Sequence, residues 1–556
     1  MADQIQSYKL VCSGGLNSNE NHLELSDKLS GVATRLVNYE PSLYGGYRRI
    51  EGYEVLGGID TAVGGANSEG KVLGIFIYQN EQYGNPYIIA ARKDAGANTY
   101  SFWKFLDNVG WQQITTGLTL SHTISTRSVN KIRAATFNLG QQSFIAFADG
   151  VNNGILFDGV NWAFIDPSAN GQSFATSGGA QAIAAPSLVE FFNNALWFSG
   201  DEAFPTKVAV SVAKDPSDFA TTAASVPSGQ PSKNLAQQFD APFRIVQIKP
   251  FRSDLYIFGT NAIQKAEQGD SLYDTVDITK NVGCISRDSV VEIGGDILFL
   301  APDGFRPVAG TSRIGDVELE SVSKSIQVLL TTLIDRQTED NISAVVIRNK
   351  SQVRFFIGDP TVDVQNSFGI IGGLYNREGQ IQWAYGELIG IRASCCTSGY
   401  MGTQERILHG DFDGKVYEQE KGTSFNNSNI LSVYETPYLD FGDTEQRKIV
   451  RKLNTFIRAE GPVELFLTLS YDWGDNATLI PSTYSQASEG GQVEYAGLNI
   501  NYGAANVLYG GNSKPIMTTD VQGSGFSVSA TFVTIGQSEP FSIQGLVFEF
   551  STAGRR

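Results

Sequence analysis

The sequence predicts a mainly β protein: a β-propeller with inserted loops and a short helical insertion, joined to a β-sandwich-like platform domain. Three observations predict it. A polar turn followed by a burst of bulky apolar residues recurs along the chain. Asp-Gly pairs stand between apolar runs. Helical patterning is confined to two short stretches.

The recurring phrase reads FFNNALWFSG (191–200), PFRSDLYIFG (250–259), EIGGDILFLA (292–301) and RNKSQVRFFIG (348–358). Leu196, Leu255, Ile297 and Val353 hold the same place in it, at intervals of 59, 42 and 56 residues. KVLGIFIYQ (71–79), QSFIAFADG (142–150) and RILHGDFDGKVY (406–417) extend the series. Repeats of this length, each with several strands, are the signature of propeller blades. One small twisted sheet cannot bury both faces, whereas several packed around an axis can, and they shelter most of their edges. Uneven spacing implies insertions. Ordinary hairpins in a sandwich would give the same texture.

Asp-Gly at 149–150, 158–159, 303–304 and 413–414 favours type I′ hairpin turns. In Ser321–Asp335, Val322, Ile326, Leu329, Leu330 and Leu333 share one helical face. Ser26–Tyr39 repeats the pattern with Leu29, Val32, Ala33, Leu36 and Val37 behind a Ser26 or Asp27 cap. Beyond Tyr438, alternating strands at 452–473, 526–535 and 541–550 flank a polar stretch at 474–525. The domain reading is an N-terminal arm with a short helix over 1–60, a propeller over 61–437 and the platform over 438–556. The 474–525 and 220–240 stretches are expected to make contacts or gate a bore, from their length and polarity.

A chain of 556 residues exceeds one ordinary core. Its 59 glycines, 33 Phe and 22 Tyr fit many short strands and tight turns. The net charge of −17 is the reverse of a nucleic-acid-binding footprint and speaks against stable, sequence-specific binding of DNA or RNA. An acidic wall does let DNA slide past without holding its phosphates. Cys12, Cys284, Cys395 and Cys396 show no CxxC spacing, so reduced, mostly buried thiols are expected. The start lacks a basic head and an apolar middle. No apolar run approaches the ~18 residues of a membrane span. The expectation is a protein made in the cytoplasm that reaches its destination by assembly.

Chemistry-bearing motifs are sparse. His22, His122 and His409 lie far apart, and HExxH and GxSxG are absent. GANSEGKV (65–72) resembles a phosphate loop, but Val72 stands where Ser or Thr would hold Mg²⁺, and a strand pattern follows. In HGDFDGKVYEQE (409–420), Asp411, Asp413, Gly414 and Glu420 match calcium-loop positions, but His409 replaces the first Asp. A plain hairpin is the simpler reading. Basic clusters at Arg48–Arg49, at Arg447, Lys448, Arg451 and Lys452, and at Arg555–Arg556 read as solvated faces or, alternatively, as contacts with an acidic neighbouring subunit or with a local phosphate. Trp103, Trp111, Trp162, Trp197, Trp383 and Trp473 read as blade-core packing or, alternatively, as sugar-stacking platforms. No catalytic residue, cofactor or metal ligand is nominated, and no enzyme is expected.

Several phrases, taken in order, resemble the nozzle or tail tubular family of bacteriophage structural proteins. They are GGLNSNENHLELSDKLSGVATRLVNYEPSLYGGYRRIEGY (14–53), FADGVNNGILFDGVNW (147–162) and FFNNALWFSGDEAFPTKVAVSVAKDPSDF (191–219), the last with Trp197, Asp215, Pro216 and Phe219 in matching places. VGCISRDSVVEIGGDILFLAPDGFRPV (282–308), TPYLDFGDTEQRKIVRKL (436–453) and the closing GRR (554–556) complete the series. Each pattern is loose, and their order is more specific than any one. The resemblance implies a homo-oligomeric, typically sixfold ring in the virion tail. It would sit below the portal and adaptor and beside tail fibre proteins, with genomic DNA passing through. The alternatives are a propeller-type receptor that binds glycans and, further off, a propeller glycosidase with two carboxylates facing across a pocket.

Overall fold

The computed structural model describes residues 5–27, 31–42, 45–58, 70–79, 86–107, 109–165, 183–219, 236–268, 273–308, 321–377, 380–474, 481–488 and 515–555. The protein is mainly β, a six-bladed propeller on a two-sheet platform.

Blade one comprises Val72–Tyr78, Tyr87–Lys93, Tyr100–Leu106 and Gly110–Gln113. Blade two comprises Arg133–Leu139, Gln142–Ala148, Ile155–Phe157 and Trp162–Phe164. Blade three runs Leu188–Phe192, Ala195–Asp201, Phe204–Val210 and Gln237–Asp240. Blade four is Ile245–Phe251, Asp254–Gly259, Ile263–Gln268 and Tyr273–Thr279. Blade five has three strands, Val291–Ile293, Asp296–Ala301 and Gly304–Pro307. Blade six takes Cys395–Met401, Gln404–Gly410 and Lys415–Gln419, and its outer strand is the early segment Tyr53–Gly58. That pairing, Gln419 opposite Tyr53, ties the two ends of the propeller together.

An apolar cluster fills each seam. Leu73 and Phe102 meet Ile145 and Phe147 between blades one and two. Trp197 meets Ile248 and Leu255 between three and four, and Phe258 meets Phe299 between four and five. Val72 and Trp103 meet Leu408 between blades one and six. Between blades five and six the ring is closed by an antiparallel meander, Ile342–Ile347, Gln352–Ile357, Phe368–Arg377 and Gln380–Ile389. The meander carries the fourth recurring phrase, with Val353 wholly buried, and it continues outward into a nine-stranded sheet.

That sheet adds Arg35–Val37, Ile430–Glu435, Val528–Gly536, Val463–Tyr471 and Tyr484–Ser488. A seven-stranded sheet stacks on it, built around the long strands Gln446–Ala459 and Phe541–Arg555, with Ile5–Val11, Tyr39–Pro41 and Tyr47–Arg49. Strand 446–459 alternates in burial. Val450, Leu453 and Ile457 face the common core with Leu465, Leu467, Leu469 and Phe532 of the other sheet. The stretches read as N-terminal arm (1–60) and as propeller (61–437) thus both give strands to the platform.

Two local expectations are corrected. Residues 26–39 form no continuous helix. A short helix, His22–Asp27, is followed by strands Arg35–Val37 and Tyr39–Pro41. Gly31 lies so close to the Val11 carbonyl that a Cβ would sit 2.2 Å from it. Leu36 and Val37 are wholly buried inside the sheet between strands 380–389 and 430–435. Tertiary pairing overrides the helical spacing there. The Asp-Gly turns are also not type I′. Gly150, Gly159, Gly304 and Gly414 have positive φ, but the preceding Asp residues do not. Asp149 and Asp158 instead accept hydrogen bonds from the backbone N–H groups two and three residues on. Both φ are positive at the hairpin pairs Asn193–Asn194, at 56° and 61°, and Gly294–Gly295, at 63° and 77°. The other helix is present as Gln327–Arg336 after a 3₁₀ turn at Lys324–Ile326, with Ile326, Leu330 and Leu333 buried.

Candidate functional site

The propeller axis is closed by an ion cluster. Lys131 and Arg133 lead into blade two, and Asp288 sits on the 3₁₀ turn before blade five. Arg133 holds Asp288 through Nε at 2.7 Å and Nη2 at 2.8 Å, and Asp340 through Nη2 at 2.7 Å. Lys131 Nζ reaches Asp288 at 3.1 Å and donates to Ser343 Oγ at 2.7 Å. Arg287 and Arg244 hold Glu339 at 2.9 and 2.6 Å. Burial pushes the Asp288 carboxyl up, but Arg133 and Lys131 outweigh it and hold the group well below the carboxylate range. Asp340 is lowered in the same way, by Arg133 and Arg287 against burial. Both carboxylates stay charged at neutral pH. Cavities along the axis include a 260 Å³ one beside Lys131 and Asp288, a 290 Å³ one lined by Arg133, Arg287 and Asp340, and a 370 Å³ one lined by Phe76, Phe137 and Tyr400. No duplex fits: its major groove alone is about 12 Å wide.

A second charged cluster joins propeller to platform. Glu40, on the platform, accepts from Arg48 at 2.9 Å, Lys350 at 2.8 Å and Arg354 at 3.1 Å. Lys350 and Arg354 also grip Glu420 at the end of blade six. Burial raises the Glu40 carboxyl, yet Lys350, Arg354 and Arg48 together bring it down to about 2. His409 packs beside this network, stacked on Tyr417 at 5.0 Å, and burial followed by the Arg354 charge lowers it to about 3.

Above His409 opens a cleft of 800 Å³ between blade six and the nine-stranded sheet. Tyr53, Tyr417 and Phe425 form its floor, with Tyr53 stacked on Phe425 at 4.9 Å. Arg392 spans Asp411 at 3.1 Å and Asp413 at 3.0 Å on one wall. Burial raises the Asp411 carboxyl above its ordinary value.

The residues singled out in the sequence scatter. Asp411 and Asp413 are occupied by Arg392 in a hairpin, and Glu420 lies in the platform network. Among the described residues, no group of three or more His, Cys, Asp or Glu is placed to hold a metal ion. His22 lies in the first helix, and His122 is bonded to Thr123 Oγ1 at 3.0 Å, far from His409. Cys12, Cys284 and Cys395 are buried free thiols, and Cys396 is half-buried. Of the phosphate-loop look-alike, 65–69 lies outside the described residues, and Val72 opens a strand. The 220–235, 475–480 and 489–514 parts of the proposed gating loops also lie outside them.

Arg49 is wholly buried and donates to the Gly536 carbonyl, while Arg48 serves Glu40, Glu51 and Glu460. Lys448 is buried and donates to the Phe526 carbonyl. Trp103, Trp111 and Trp197 are core residues, whereas Trp473 is 49% exposed and stacked on Tyr438. No sequence motif singles out Arg133, Asp288, Asp340, Lys350 or Arg354. Arg133 and Arg354 stand between apolar residues and Asp288, Asp340 and Lys350 between polar ones, and only folding brings them together.

No protein-family model matches the chain, and no curated protein matches it. Among solved structures it is similar to the extracellular domain of a one-component system protein from B. thetaiotaomicron. The identity is 9% and the TM-score 0.36, over 80% of this chain and 45% of that one. The chain therefore spans under half of that domain. It is also similar to a glycoside hydrolase family 43 arabinoxylan arabinofuranohydrolase from Bacillus subtilis, at 12% identity and a TM-score of 0.24, over 89% of this chain and 98% of that one. The second similarity overturns the expectation that the chain is no enzyme, though it assigns no residue a role. Among the described residues, no helix is long and apolar enough to cross a membrane.

Proposed function

We propose that the chain is a ring-forming structural subunit of a bacteriophage tail, of the nozzle or tail tubular kind, that forms part of the DNA exit channel. The observation that carries this reading is where the ordered family-like phrases fall. Residues 14–53 supply strands to both platform sheets and lead into the strand that closes blade six. Residues 191–219 form the first hairpins of blade three, 282–308 span blade five, and 436–453 enter the long platform strand. The phrase at 147–162 lies within blade two, so the series runs through the blades and into the platform in chain order.

With the propeller axis filled by ion pairs, a duct would have to run between subunits, which calls for a ring. Negative charge on its wall would let DNA slide. The test is light scattering and negative-stain microscopy of the full chain, alone and with portal, adaptor and tail fibre proteins of one virion. A ring with a central hole, or assembly onto the tail, is expected. A strict monomer that ignores all tail proteins would overturn the reading.

The alternative, a propeller-type receptor that binds glycans, is favoured by one observation, the aromatic-floored cleft beside blade six. Sugar binding by a chain that never enters a ring would select it.

A further inference from the structure

We propose that the cleft between blade six and the nine-stranded sheet is a binding site for a neutral oligosaccharide. The inference deepens the glycan-binding reading and stands apart from the ring. Its volume, 800 Å³, falls within the range of small-ligand sites, about 300–1,000 Å³. Its floor is aromatic. Tyr53 and Phe425 stack at 4.9 Å, and Tyr417 meets Tyr53 edge-on at 5.1 Å. Its rim carries an exposed apolar cross-strand pair, Leu431 opposite Ile535, exposed by 39% and 58%. The C–H faces of sugar rings pack on apolar surfaces, which here are the exposed rim pair and the outer edges of floor rings that are 5–8% exposed.

The polar chemistry of the walls matches hydroxyl groups. Gln365 and Asn366 project from one side, and Asn426, Asn427 and Asn429 from the other. Among the described residues none of these five side-chain amides has a hydrogen-bond partner. An amide offers both donors and an acceptor, as a sugar hydroxyl does. The Asn loop is not loose. Phe425 and Ser428 exchange backbone hydrogen bonds at 2.9 Å, and the Asn426 N–H donates to the Tyr53 carbonyl at 2.8 Å. Asn426 and Asn427 are held at φ of 47° and 69°, a region that Asn tolerates better than most residues.

Charge selects the ligand class. Arg392 is shared between Asp411 in the wall and Asp413 beside it, so the wall offers an anion no unpaired cation. Phosphates and acidic sugars are disfavoured and neutral hydroxyl-rich chains admitted.

The experiment is saturation-transfer NMR and calorimetry on the full chain. Probes are maltotriose, mannotriose, galactobiose and tri-N-acetylchitotriose, each up to about 10 mM, a ceiling set for weak single-site affinities. At least one probe is expected to bind. The double variant Asn366→Ala, Asn427→Gly, both on exposed turns, should weaken that binding by about tenfold or more, as loss of two ligand hydrogen bonds does. Arg244→Ala, at the mouth of the axis, should leave it unchanged. Failure of all four probes, or binding that persists in the double variant, overturns the site. Ring and monomer fractions are measured separately. Failure of the site in an intact ring therefore leaves the tail reading standing, and binding by a strict monomer counts against that reading alone.

Discussion

Glu40 shows how much one side chain carries here. It is 2% exposed and accepts from three cations, Arg48, Lys350 and Arg354, that it shares with Glu51, Glu420 and Glu460. Truncating one member of a buried charge network costs far more than the net worth of the pair, because its partners stay buried and unpaired. Glu40→Ala should lower stability by about 3–5 kcal/mol, read from the denaturant midpoint. The same residues set an acid limit. The Glu40 carboxyl lies near 2 folded against an ordinary 4.5, so its contribution is complete above 4.5 and is lost as pH falls toward 2. His409 acts over a higher window. The folded imidazole refuses a proton until about pH 3, while the unfolded one takes it near 6.5, so stability declines as pH drops from 6.5 toward 3. A series of urea melts from pH 7 to pH 4 should show that decline in the wild type and a flatter line in His409→Gln. An unchanged slope would mean that His409 is charged in the folded protein. None of this could be read along the chain. Glu40 and Lys350 are 310 residues apart, and each alone resembles a solvated surface charge.

At the scale of elements the sequence was more legible, because a blade is a local object. The turn-plus-apolar phrase marks the first hairpin of blades three, four and five and of the closing meander, and the repeated position falls on the second strand each time. Leu255, at that position in blade four, is wholly buried against blade three. Leu255→Ala should cost about 2–5 kcal/mol, whereas Val276→Ala, on the outer strand of the same blade and 42% exposed, should stay within about 0.5 kcal/mol. Comparable losses at both sites would deny that the phrase marks the inter-blade core. Legibility failed where pairing partners are distant. Leu36 and Val37 have helical neighbours in sequence and strand neighbours in space. The meander at 342–389 reads as one more blade because it begins as one, and only its continuation into strands from 35–37 and 430–435 makes it platform. The cleft was illegible for a similar reason. Its floor comes from 53, 417 and 425 and its amides from 365–366 and 426–429, so no single motif spells it.

The whole molecule is knitted rather than strung, and this bears on how it comes apart. Residues 35–37 sit between strands 380–389 and 430–435, residues 39–49 lie in the other sheet, and residues 53–58 close blade six. The Glu40, Lys350, Arg354 and Glu420 network then crosses from platform to propeller. Domains separated by a linker have interfaces like transient complexes and melt on their own. Here neither half can be drawn out without stripping strands from the other. Calorimetry of the full chain should therefore give one principal transition, and a chain lacking residues 1–49 should fail to give a folded propeller, although every blade strand but 53–58 lies well beyond the cut. The loss would come from exposing the Leu36 and Val37 slot and stranding Lys350 and Arg354 without Glu40. Two resolved transitions, or a truncated chain with native blade packing, would show instead that the propeller is independent of its base. In the ring proposed above, such coupling would have a mechanical use. Force applied at the platform reaches the propeller through paired strands and a shared core, with no flexible joint to absorb it.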